Sequence, residues 1–162
     1  MLANIGFGVL VVSFITSLYG IIASIIGVRK NSLAWVESAR KAMQITFPLI
    51  SIVAMAIILL LVTGQYQVQY VYNVTSSTMP LYLKITALWG GQSGSLVFWA
   101  WLMSAFTTAV TLRKWERDRE FLPWVILVGL VTLTFFLALI LFFENPFVRF
   151  WVTATGNQVI SM

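Results

Sequence analysis

Four long apolar runs, none with a charged side chain, constrain this chain more than any other feature. They are Asn4 to Val28, Met43 to Gly64, Gly94 to Leu112 and Phe121 to Phe143. A helix rising ~1.5 Å per residue crosses a hydrocarbon core of ~30 Å with about 20 residues, and each run has roughly that length. A soluble domain of 162 residues could not cover its core with a sequence that is 60% hydrophobic and 9% charged. The fold class expected is therefore all-α integral membrane protein, with four transmembrane helices. Nothing basic precedes the first run, and it is too long for the apolar part of a cleaved leader, so it reads as a retained span. Pro48 is expected in the first turns of the second span, and Pro123 near the start of the fourth.

The basic residues set the orientation. Arg29, Lys30, Arg40 and Lys41 fall between spans one and two, and Arg113, Lys114, Arg117 and Arg119 between spans three and four. The opposite side holds only Lys84 and Arg149. Because Lys and Arg accumulate on the cytoplasmic side, the chain is expected N-out and C-out. This makes 1–162 a single membrane domain with an outer loop at 65–93 and an outer tail at 144–162. The formal charge of +5 then reads as anchoring to one leaflet, with no nucleic-acid partner implied. Trp35, Trp115, Trp124 and Trp151 stand at span edges, as belt residues do.

Several function classes lose their chemistry. There is no cysteine and no histidine, hence no disulfide, no thiolate metal site and no imidazole for haem, metal or proton transfer. No catalytic residue and no metal site are assigned. The uncharged spans also argue against an ion-coupled pathway, which buries ionisable groups at membrane depth. Gly6, Ser13, Ser17, Gly20, Ser24 and Gly27 keep to one face of the first span. Small residues there let another backbone approach, either from the other three spans or from helices outside this chain.

The outer loop is the most informative segment. Gln65 to Tyr72 alternates in polarity, which suggests a short extended segment with Tyr66, Val68, Tyr70 and Tyr72 on one side. Asn73 to Thr78 reads as a turn. Pro80 to Trp89 reads as a short interfacial helix with Lys84 and Thr86 toward water. The block Gly90-Gly91-Gln92-Ser93-Gly94-Ser95 then leads into span three. Paired glycines there admit backbone angles that other residues resist and let a flat ligand or another chain come close. The amides opening span three suit an anionic group. A plain linker would explain the block equally well.

Tyr70-Val71, Pro80 with Lys84, the block Leu88-Trp89-Gly90-Gly91-Gln92-Ser93-Gly94-Ser95-Leu96 with Trp99, and Asn145-Pro146-Phe147-Val148-Arg149 carry a resemblance. Together they resemble the N-terminal part of the CcmF-type family, haem-handling membrane proteins of cytochrome c maturation. The resemblance runs along essentially the whole chain. It implies part of a longer protein of the bacterial plasma (inner) membrane that presents haem at the outer face. Its implied partners are the lipid bilayer, the remaining CcmF-type helices or other maturation subunits, and apocytochrome c. Trp89, Gly90, Gly91, Gln92, Gly94 and Ser95 are then the candidate outer platform for haem or a partner. The family's tryptophan-rich segment and histidine ligands lie beyond Met162, so haem belongs to the complete protein and histidine in this chain cannot hold it. Met79 and Met103 are the methionine candidates for a weaker ligation. Ser93 stands where the family usually has an acidic residue. Read without the resemblance, the sequence also suits an accessory subunit of a respiratory or photosynthetic complex, or part of a small-molecule transporter.

Overall fold

The computed structural model describes residues 1–113, 120–152 and 158–161. Lys114, Trp115, Arg117 and Arg119 lie outside the described residues. The four apolar runs form four long helices, α1 (Leu2–Arg29), α2 (Leu33–Val62), α5 (Gln92–Leu112) and α6 (Leu122–Phe142). Between α2 and α5 lie two short helices, α3 (Gln69–Val74) and α4 (Leu81–Thr86), and a single 3-10 turn, Ala87–Trp89. All four long helices are long and apolar enough to cross a membrane, and the chain is a multi-pass membrane protein.

The helices pack as a ring, α1 against α2 and α6, and α5 against α2 and α6. The small-residue stripe of α1 accounts for the closeness of that packing. All six residues are buried, and two of them bond across the bundle. Ser24 Oγ donates to the Pro123 carbonyl at 2.7 Å, and Thr134 Oγ1 donates to Ser17 Oγ at 2.9 Å. A Cβ on Gly20 would stand 2.5 Å from Leu130, and one on Gly27 would stand 3.0 Å from the Val36 backbone nitrogen. The stripe therefore serves packing within this chain.

The helix ends follow from local chemistry. Asn31, at φ 47°, ends α1 in the left-handed conformation, with Ser32 N donating to Gly27 O at 3.1 Å and Asn31 N to Val28 O at 3.3 Å. Gly64, at φ 63°, ends α2 the same way, with Gln65 N donating to Leu60 O. Both are six-residue closures that satisfy carbonyls the helix leaves open.

Three expectations need correction. The helix that carries the second apolar run begins at Leu33, ten residues before Met43, so Arg40 and Lys41 lie on a helix and not in a loop. Arg40 is held there because its Nε donates to the Thr111 carbonyl at 2.7 Å, placing a cation on the C-terminal end of α5. Pro48 consequently lies inside α2 and not in its first turns. Gln65 to Tyr72 is not one extended segment. From Gln69 it is helical, because Tyr70 and Val71 are adjacent in sequence and both buried, which alternation cannot achieve. In the tail, for which the sequence suggested no structure, β1 (Arg149–Val152) and β2 (Gln158–Ser161) pair antiparallel.

Candidate functional site

The N-terminus of α1, the end of α2, the start of α5 and the end of α6 share one end of the bundle, and the loop 63–91 folds back over it. Tyr70 is the centre of that fold. Its hydroxyl lies 2.8 Å from the Ala87 carbonyl and 3.0 Å from that of Leu88, tying α3 to the 3-10 turn. Burial pushes the Tyr70 phenol up to about 12, with the backbone amides of Gly91 and Gly94 acting in the opposite direction.

The glycines of the block have distinct jobs. Gly90 is right-handed (φ −76°, ψ −11°), and Gly91 is extended (φ −134°, ψ 168°) as the cap of α5. Neither uses the positive φ that glycine alone adopts readily. What matters is proximity. A Cβ on Gly94 would run into the Leu88 carbonyl oxygen and the Tyr70 hydroxyl, and one on Gly91 would stand 2.9 Å from both Tyr70 and Val74. On Gly90 the nearest atom would be 3.4 Å away, an ordinary contact. Ser95 Oγ closes the block by donating to the Trp89 carbonyl at 2.9 Å.

Of the six platform residues read from sequence, Trp89, Gly90 and Gln92 are exposed, Gly91 and Ser95 half-buried, and Gly94 buried. Trp89 begins a line of rings running down into the bundle. Its centroid is 5.5 Å from Phe98, which lies 6.3 Å from Trp101, which in turn is 6.1 Å from Phe47. Trp101 is fixed by a 2.9 Å hydrogen bond from Nε1 to Ser51 Oγ. Beside these rings, Ser51, Ala54, Met55, Ile58, Leu88, Phe98 and Trp101 line a cavity of about 210 Å³. Met79 and Met103 do not converge. Met79 is in the outer loop, whereas Met103 is eleven residues into α5, ~16 Å below its start.

Lys84 and Thr86 are half-buried, and it is Leu81, Tyr82, Leu83 and Ile85 that are exposed. At the edge of a bilayer an outward apolar face needs no polar cover, so α4 lies the other way up from the expectation. Sequence reasoning missed Glu144 altogether. Ser93 Oγ donates to Glu144 Oε2 at 2.8 Å, so a carboxylate from the far side of α6 reaches the position where the resemblance places an acidic residue. A lone acid immediately after an uncharged span was the available signal. The two sequence blocks thus meet. Phe147 packs onto Gly6, its amide donates to Asn145 Oδ1 at 3.0 Å, and the Val148 carbonyl accepts from Gln69 N at 2.9 Å.

The arrangement offers an exposed indole, unencumbered backbone at Gly90 and Gln92, and one anchored carboxylate. It suits holding a flat molecule or an extended chain. Among the described residues, no three of the Asp and Glu carboxylates cluster as a metal site would require.

No family model matches the chain. It is 31% identical over 150 residues to the cytochrome c-type biogenesis protein CcmF of Haemophilus influenzae, covering 92% of this chain and 23% of that protein. The Escherichia coli CcmF is 27% identical over 150 residues with the same coverage, and the Rhodobacter capsulatus biogenesis protein ccl1 is 26% identical over 149. A solved cytochrome c haem lyase CcmF superposes with a TM-score of 0.85 at 20% identity, over 91% of this chain and 25% of that one, which establishes the shared fold. The chain spans about a quarter of the length of these relatives. Along nearly all of its own length, it is a homologue of the N-terminal part of the CcmF-type cytochrome c biogenesis proteins.

Proposed function

We propose that this chain is a membrane component of cytochrome c maturation, the scaffold part of a CcmF-like protein that presents haem to apocytochrome c at the outer face of the bacterial plasma membrane. The observation that carries the reading is the match over 92% of the chain to CcmF relatives. The platform supports it, because the Gly90 to Ser95 block and the chain leaving α6 meet at one end of the bundle through Ser93 and Glu144. The excess of basic residues on the opposite side supports the N-out, C-out orientation, which puts this end outside. Haem iron is held by the complete protein, since this chain has no histidine. Trp89, Gly90 and Gln92 form the exposed part of the platform, and Gly91, Gly94 and Ser95 shape it. Attachment activity belongs to the whole assembly.

The test is made in a strain that depends on this gene, scored by covalent haem in c-type cytochromes. Deletion is expected to abolish the signal, and Trp89→Ala in the complete protein to lower it several-fold at unchanged membrane levels. Normal cytochrome c content in the deletion strain would refute the reading.

A further inference from the structure

A second site lies at the same end of the bundle, away from the Trp89 platform. A cleft of about 180 Å³ opens between the first turns of α1 and the chain leaving α6, with Asn4, Phe7, Asn145, Phe147, Arg149 and Trp151 among its walls. Its backbone is fixed before any ligand arrives. Val68 and Arg149 form an antiparallel bridge, in which Gln69 N donates to Val148 O and Phe150 N donates to Gln67 O, both at 2.9 Å. Side chains alternate along a strand. Arg149 and Trp151 therefore share the cleft side, while Phe150 turns away to meet the Tyr72 ring at 5.7 Å.

The cleft holds one cationic side chain, two side-chain amides able to donate, and no carboxylate. Arg149 makes no ion pair among the described residues, and Glu144, the one carboxylate described at this end, is engaged by Ser93. Asn145 spends its Oδ1 on the Phe147 amide, which leaves its NH2 free to donate. Asn4 contributes a second amide, which is exposed, whereas Asn145 is half-buried. A guanidinium flanked by amide donors is suited to a phosphate, which it grips through parallel charge-assisted hydrogen bonds. Next to the cleft, Ile5, Val12 and Ile15 form an exposed apolar ridge down one side of α1. A small soluble anion would leave that ridge bare, whereas a molecule with an anionic head and an apolar body uses both. Phe7 and Trp151 line the cleft and are exposed, and aromatic rings of this kind favour the headgroup region of a bilayer.

We propose that this cleft seats the phosphate of an anionic phospholipid, whose acyl chains run along the Ile5, Val12 and Ile15 side of α1. The inference does not depend on a role in cytochrome c maturation. It is tested on the whole chain purified in mild detergent, titrated separately with phosphatidylglycerol, phosphatidylcholine and inorganic phosphate, with bound molecules followed by native mass spectrometry. Phosphatidylglycerol is expected to be retained in preference to phosphatidylcholine and not to be displaced by inorganic phosphate. Arg149→Gln should weaken retention on the order of ten-fold, as expected for loss of a charge-assisted contact, and Arg149→Lys, which keeps the charge but not the parallel bonds, should weaken it less. Asn4→Asp sets a carboxylate at an exposed position in the first turn of α1, where it does not threaten folding. It should lower retention comparably, and it keeps the test decisive if Arg149→Gln folds poorly. Lys84→Gln, at the same end but outside the cleft, should change nothing. Equal retention of the two lipids, undiminished retention in both Arg149→Gln and Asn4→Asp, or an equal loss in Lys84→Gln would overturn the assignment. Displacement by inorganic phosphate would show a site for soluble anions and would overturn it too.

Discussion

At one end of the bundle α1 passes into α2 through three residues, Lys30 to Ser32, and a cation on α2 reaches across to the end of α5. At the other end α2 reaches α5 only through residues 63–91, which fold back on themselves around a buried tyrosine. The first arrangement needs long flexible side chains and tolerates change. The second relies on backbone atoms of different segments in direct contact, where a single added carbon has nowhere to go. The comparison teaches that the end with few charges is the more rigidly specified one, as suits a surface that must present a fixed shape.

The sharpest test of that contrast is Gly94→Val. The new Cβ would meet the Leu88 carbonyl oxygen, which belongs to the backbone and cannot swing aside. A loss of about 3 kcal/mol or more is expected, at the upper end of overpacking costs. It should appear as a large drop in the thermal unfolding midpoint in detergent and as poor accumulation in membranes. An unchanged midpoint would mean the loop is not locked as described.

Tyr70→Phe comes next. It removes a hydroxyl shared by two carbonyls and leaves both without that donor, at a cost of about 1–3 kcal/mol. The same hydroxyl gives the outer end a pH dependence. Its folded-state pKa, about 12, lies above the 10.0 of an ordinary tyrosine. The neutral phenol is therefore favoured by folding, and its contribution is whole below pH 10 and lost as the pH rises through 12. Wild-type stability should fall across that window more steeply than that of Tyr70→Phe, measured by unfolding midpoints at matched ionic strength.

At the opposite end, Arg40→Gln should cost only about 1 kcal/mol, the scale of a cation placed at a helix C-terminus. The guanidinium bonds to the Thr111 carbonyl at 2.7 Å and lies 3.5 Å from Glu37, but water can replace part of both contacts. A loss larger than that of Tyr70→Phe would reverse the ranking of the two ends.

The legibility of these features in the sequence follows the same division. The four spans could be read because an uncharged run of that length has no other stable setting; the small-residue face of α1 was legible too, but not whether its partners lay inside or outside this chain. The start of α2 was missed because Arg40 and Lys41 look like loop residues until a partner 71 positions away, the Thr111 carbonyl, is known. Tyr70 was misplaced because Gln65-Tyr66-Gln67-Val68-Gln69-Tyr70 alternates perfectly, and only the tertiary contact with the 3-10 turn favours a helix there. The pairing of Ser93 with Glu144 spans 51 residues and leaves no periodic trace. Local pattern therefore reports what the membrane demands, and is silent on contacts that one loop makes with another.

The smallest expected effect sharpens the comparison within the outer end itself. Gly90 and Gly91 look equivalent in sequence, yet Gly90 has right-handed helical angles, and a Cβ there would make only ordinary contacts with Ala87, the nearest at 3.4 Å. Gly90→Ala should therefore lie within about 0.5 kcal/mol of wild type, and reduced freedom of the unfolded chain could make it slightly more stable. Gly91→Ala must displace the Tyr70 ring and the Val74 side chain, both 2.9 Å away, and should be the more costly of the pair. Unfolding midpoints of the two single variants, measured side by side, decide the matter. If Gly90→Ala proves as damaging as Gly91→Ala, then something beyond this chain packs against Gly90, and the exposed face of the platform is already occupied in the folded protein.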